Sequence, residues 1–170
     1  MMPDSAAEQA FKSVLDMAKA ALAPSGFVKR GAKFLKFYGP NLALIQFQRS
    51  RYGDGEQIRF TINVSVVSAV LARELWGIVD LKRASEWHGH LRQRIGSFSD
   101  KPADIWWTTG DAPVEDVGAA VVDLLSRALP FLSACTLDDD LLAMWRSGRA
   151  PGLTAFQCEQ YAAILQRHQS

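Results

Sequence analysis

The chain has little of what staples, ligates or steers. Its 170 residues include 2 cysteines and 3 histidines. Cys135 and Cys158 form no C-x-x-C and sit in apolar, helix-patterned stretches. They read as buried thiols in a reducing compartment rather than as a disulfide or a metal pair. Neither charge is in excess, with Lys+Arg 19 against Asp+Glu 18 and a net charge of +1. Counterion release needs a concentrated cationic face, so nucleic acid is not an expected partner. No uncharged apolar run reaches bilayer length, and even "VGAAVVDLL" is interrupted by Asp123. The start "MMPDSAAEQAFKSVLDMAKA" puts Asp4 and Glu8 where a secretory leader is basic. The expected location is therefore the cytoplasm, without membrane contact. No nucleophile elbow, P-loop or dinucleotide fingerprint occurs, so no catalytic residue is assigned.

What is present is length and pattern. A chain of 170 residues, 48% of them hydrophobic, can bury one sizeable core without disulfides or metal. Phe11, Val14, Leu15, Ala18 and Leu22 repeat at helical spacing, with Ser5 and Glu8 as a capping box. Pro24 and Gly26 end that helix. From Phe27 the period becomes two: a strand, a turn at Gly31, a second strand through Phe34 and Leu35, and a third over 42–50. A polar hairpin loop with Gly53 and Gly55 leads to "QIRFTINVSVV". There Ile58, Phe60, Ile62, Val64 and Val66 point one way, and Arg59, Thr61, Asn63 and Ser65 the other. A short helix over 68–76, a strand in "HLRQRIG" and another in "DIWWTT" follow. A long helix then starts at Pro113 and is expected to stop at Pro130. Two more helices come after it, one capped by Asp138 and one by Thr154 with Gln157.

These elements predict an α+β fold, an antiparallel meander of four to six strands with helices on one face and the other face open. Residues 1–137 form the expected core and 138–170 a C-terminal helical extension packed on it, within a single domain. That extension either covers a sheet edge or makes a homodimer contact.

The phrases "FVKRGAKF", "IQFQRSRYG", "FTINVSV", "HLRQRIG", "DIWW" and "LPFL" occur in that order. Together they resemble a bacterial family known only as domain of unknown function 4304, over residues of about 10–132. The resemblance implies a shared fold and supplies no catalytic residues. Arg49 stands where lysine is expected in many members.

Strand alternation places Gln46, Gln48, Arg59 and Asn63 on one face, with His90, Arg92 and Arg94 joining them if "HLRQRIG" enters the same sheet. Guanidinium forks beside amides and hydroxyls suit a carboxylate or phosphate. The plainer explanation is a solvated face. Against it stands a composition of Gln, Asn and Arg rather than the Lys, Glu and Thr of ordinary wet surfaces. Trp106 and Trp107, adjacent in a strand, must face opposite ways, so at least one is core. His88 and His90 lack a third ligand nearby, and neither metal nor cofactor is expected. The expected function is a non-catalytic binding module that holds a protein partner or a small anion on the polar face. A toxin inhibitor would be one such role. The alternative is an enzyme acting on a phosphorylated or nucleotide-like substrate, with arginines as anion clamps and His88 or His90 in acid/base work.

Overall fold

The structure, a computed structural model, describes residues 4–52 and 56–170. The turn expected at Gly53 and Gly55 lies outside the described residues. Helix α1 spans Ala6–Leu22 and starts at Ser5, whose hydroxyl accepts from the Glu8 amide at 3.2 Å. The second half of the expected capping box does not form. Glu8 instead grips Arg49 through two bonds of 2.5 and 2.9 Å, and the guanidinium lies 4.4 Å from the Phe11 ring centre. Arg49 thus belongs to the helix-covered side of the sheet.

Strands β1 (Val28–Arg30), β2 (Lys33–Tyr38), β3 (Asn41–Arg49), β4 (Arg59–Val67) and β5 (Leu91–Arg94) lie side by side in chain order, all antiparallel. A two-residue strand, β6 (Trp107–Thr108), pairs with the start of β4. This is the α+β meander that the alternation predicts. Phe34, Ile45, Phe47, Phe60, Ile62, Val64 and Val66 are buried on one face. There they meet Phe11, Val14 and Ala18 of α1 and Val121, Leu125 and Ala128 of α3 (Val114–Ala134). Phe11 packs edge-on to Phe60 at 5.1 Å, and Trp107 stacks on Phe60 at 5.5 Å. Phe11 and Phe60, both fully buried, each contribute about 1.5–3 kcal/mol by leaving water.

Helix α3 corrects one expectation, since it continues through Pro130 to Ala134. A mid-helix proline costs about 3 kcal/mol. The last turn is held regardless, because Leu132 is fully buried and the Phe131 ring packs on Phe98 at 5.4 Å. By length and composition α3 is apolar enough to cross a bilayer, yet its apolar stripe is the one laid on the sheet.

The second face of the sheet is not uniformly open. Towards one end Leu35, Leu42, Leu44 and Val67 form a separate apolar cluster beneath Ala72, Leu81 and Ala84. Ala72 belongs to α2 (Ala69–Trp76), and Leu81 and Ala84 to the segment after it. Buried Asn41 braces this end. It donates to the Thr136 carbonyl and the Asp138 carboxylate, both at 2.9 Å, and accepts from the Ala69 amide at 3.0 Å. Asp138 is therefore occupied by Asn41. The start of α4 (Asp138–Arg146) is closed by Asp140, which accepts from the Leu137 amide at 3.2 Å. Helix α5 (Ala155–Gln169) opens with the Thr154–Gln157 box that the sequence predicts.

Candidate functional site

Pairing across three strands decides which side chains meet. Gln46 lies opposite Asn63, and Asn63 opposite Arg94, so these form one row across the sheet. The next row runs Leu44, Ser65, Arg92, and Gln48 sits opposite Thr61. Residues directly paired share a face, so one face carries both glutamines, Asn63, Ser65, Arg92 and Arg94. It is the face with the second apolar cluster, and the polar rows begin where that cluster ends.

A cleft of about 400 Å³ stands over these rows. Gln48, Asn63, Ser65, Arg92 and Arg94 line it from the sheet, Glu86 and Trp87 from one side, and Pro151 and Gly152 from another. The Asn63 amide donates to Gln48 Oε1 at 2.8 Å. Gln46 is not a lining residue, yet it places one: its Oε1 accepts from the Glu86 amide at 3.2 Å and holds the turn over the sheet. Gly89 lets that turn sit close. A Cβ there would meet Arg92 Cγ at 2.6 Å and Ser65 Cβ at 2.9 Å, so only a residue without a side chain fits.

Five buried side-chain polar atoms lack a hydrogen-bond partner among the described residues. Four of them, Ser65 Oγ, Glu86 Oε2, Arg92 Nε and Arg94 Nη1, belong to residues lining this cleft. Among the described residues neither Arg92 nor Glu86 forms an ion pair. Arg92 Nη2 donates weakly to the Gly152 carbonyl at 3.4 Å. Arg94 Nη1 is ion-paired with Asp104 at 3.4 Å but makes no hydrogen bond to it.

Arg59 shares the polar face but not the cleft. Its guanidinium is 5.0 Å from the Trp106 ring centre, and Arg94 approaches the same ring at 5.2 Å. The two tryptophans do face opposite ways, Trp107 into the core and Trp106 between these arginines.

His90 is the clear correction. It precedes β5 and is wholly buried under the C-terminal helices instead of lining the cleft. Its ring stacks on Trp76 at 5.2 Å and meets Tyr161 edge-on at 5.0 Å. Nδ1 accepts from the Ser68 amide at 3.1 Å, and Trp145 Nε1 donates to the His90 carbonyl at 3.0 Å. Burial, reinforced by the nearby charges of His88 and Arg92, lowers its pKa to about 3. His88 packs on Trp76 as well, and its Nδ1 accepts from the Ser85 amide at 3.0 Å.

The cleft is also lined by Glu86, Trp87, Gln93, Ser97, Pro151 and Gly152, none of which the sequence reading placed in the binding site. Gly89 inside "WHGH" and the "APG" after α4 were the only local signals of chain passing close to the sheet. The family described as Domain of unknown function (DUF4304) matches residues 18–134. That span includes the sheet and the Glu86–Trp87 turn and leaves out α4, α5 and the Pro151–Gly152 wall. No curated protein and no solved structure matches the chain.

Proposed function

From the premise that the chain belongs to the domain of unknown function 4304 family, whose description assigns no activity, we propose a function from the cleft itself. The protein is a non-catalytic binding module that takes a small anionic ligand on Arg92 and Arg94. The supporting observation is the group of three buried, unpartnered polar atoms in the lining residues, Ser65 Oγ, Glu86 Oε2 and Arg92 Nε, beside Arg94, whose Nη1 makes an ion pair with Asp104 but no hydrogen bond. Leaving such an atom unpaired costs about 1–3 kcal/mol, more for a charged group. A fold that keeps three around one concavity is complementary to something that pairs them. Concavity favours a small ligand over a broad protein surface. The enzyme reading needs an acid/base partner, and both His88 and His90 are engaged away from the cleft. Glu86 is the sole carboxylate among the lining residues.

Calorimetric titration with inorganic phosphate and with acetate tests the reading. Wild type is expected to bind at least one of them. The Arg92→Gln/Arg94→Gln variant, with its melting temperature retained, should bind about tenfold or more weakly, since each charge-assisted bond contributes about 1.5–3 kcal/mol. Absence of binding to wild type, or equal affinity in the variant, would overturn it.

A further inference from the structure

The same cleft carries a negative charge as well as positive ones, and a plain anion leaves that charge unanswered. Glu86 and Arg92 line one concavity, and among the described residues neither is paired with the other or with any other charge. Opposite charges held apart in one site suit a ligand that carries both signs. Beside Glu86 stands Trp87, a residue 70% exposed although it lines the cleft. A carboxylate next to an exposed indole attracts an ammonium group by charge and through the ring face. The two guanidinium groups across the cleft suit a carboxylate. A concavity of about 400 Å³ is also far larger than an inorganic anion and falls in the range of sites for small organic molecules.

Resting on the anion-site reading above, we infer that the ligand is a small zwitterion of the amino-carboxylate class. Its carboxylate lies on Arg92 and Arg94, and its ammonium lies between Glu86 and the Trp87 indole. Ser65, Gln48 and Asn63 form the floor between the poles, where a hydroxyl and two amides accept or donate without favouring either charge. The Pro151–Gly152 wall limits ligand length, because it closes the cleft over Arg92.

A homologous series of linear ω-amino acids, from glycine to 6-aminohexanoate, tests the assignment against the alkanoates of matching length. Calorimetry on the full chain, with inorganic phosphate as a third probe, reads the affinities. In wild type one length of ω-amino acid should bind about tenfold more tightly than its alkanoate, the ratio that ~1.4 kcal/mol produces. Glu86→Gln should bring that ratio close to one. The Glu86 backbone amide, which Gln46 holds, is untouched by the change. Alkanoates or phosphate binding wild type as tightly as every ω-amino acid would overturn the zwitterion and leave the anion site standing. If none of the three classes binds, both readings fall. A preference that survives Glu86→Gln would overturn the role given to that carboxylate.

Discussion

Gly152→Ala probes whether the C-terminal segment truly walls the cleft. Gly152 has φ of +73°, and a Cβ there would stand 2.5 Å from the Arg92 carbonyl oxygen. An ordinary C···O approach is ~3.3 Å, so the loop would have to withdraw by roughly 0.8 Å. Gly148 provides the internal control, with a φ of +70° and no atom within 4 Å of the point a Cβ would occupy. Both substitutions carry the left-handed backbone cost of about 1–2 kcal/mol. Gly152→Ala alone adds the overpacking, about 1–3 kcal/mol. Its variant should therefore lie about 1–3 kcal/mol below the Gly148→Ala variant in urea unfolding, or several degrees lower in Tm. Ligand affinity should fall in Gly152→Ala and hold in Gly148→Ala. Two variants within about 0.5 kcal/mol of each other, the accuracy to which independent effects add, would show that the loop is not seated on β5.

Trp145→Phe removes the donor to the buried His90 carbonyl and should cost about 1–3 kcal/mol in thermal denaturation; no measurable loss would mean that the bond does not hold α4 to the sheet. His90 titrates at about 3 in the folded chain, below its ordinary 6.5, chiefly through burial. The unfolded chain takes up the proton first, so this contribution is complete above pH 6.5 and is lost as the pH falls towards 3. The slope is at most about 1.4 kcal/mol per pH unit. Urea unfolding between pH 7 and 5 should be less pH-dependent in His90→Gln than in wild type, and equal slopes would contradict the buried neutral imidazole. Arg49→Lys keeps the charge but loses the forked contact to Glu8 and the flat packing on Phe11. Because the pair is partly exposed, the cost should stay within about 1 kcal/mol, and a loss above about 2 kcal/mol in denaturant unfolding would assign Arg49 a larger role.

Local chemistry made much of the fold legible. The two-residue period of "QIRFTINVSVV" is a property of the strand itself, so the apolar and polar sets of β4 are read directly from it. Short connections force neighbouring strands to pair, which makes the β1-to-β5 order follow from the chain. The caps at Ser5 and Thr154 depend on residues three apart and are equally local. Where tertiary packing competes with a local signal, the signal fails. Pro130 does not stop α3 because the residues after it are buried, and Asp138 does not cap α4 because Asn41, far away in sequence, claims its carboxylate.

The site divides along the same line. Alternation and pairing place Gln46, Gln48, Asn63, Arg92 and Arg94 on one face, and that much is fixed by register. Whether such a face is a wet surface or a walled cleft depends on what folds over it. Glu86, Trp87 and Gly152 come to it from segments with no periodicity of their own, brought in by Gln46, by the close approach at Gly89 and by the docking of α4 and α5. His90 shows the converse. Its spacing from Arg92 and Arg94 is that of a face-mate, yet the C-terminal helices bury it under Trp145 and Tyr161. Local pattern determined the strands and the sidedness of the arginines, since both depend on a backbone repeat. Only the tertiary structure decided which of those side chains face a common cleft, because that depends on contacts between segments distant in the chain.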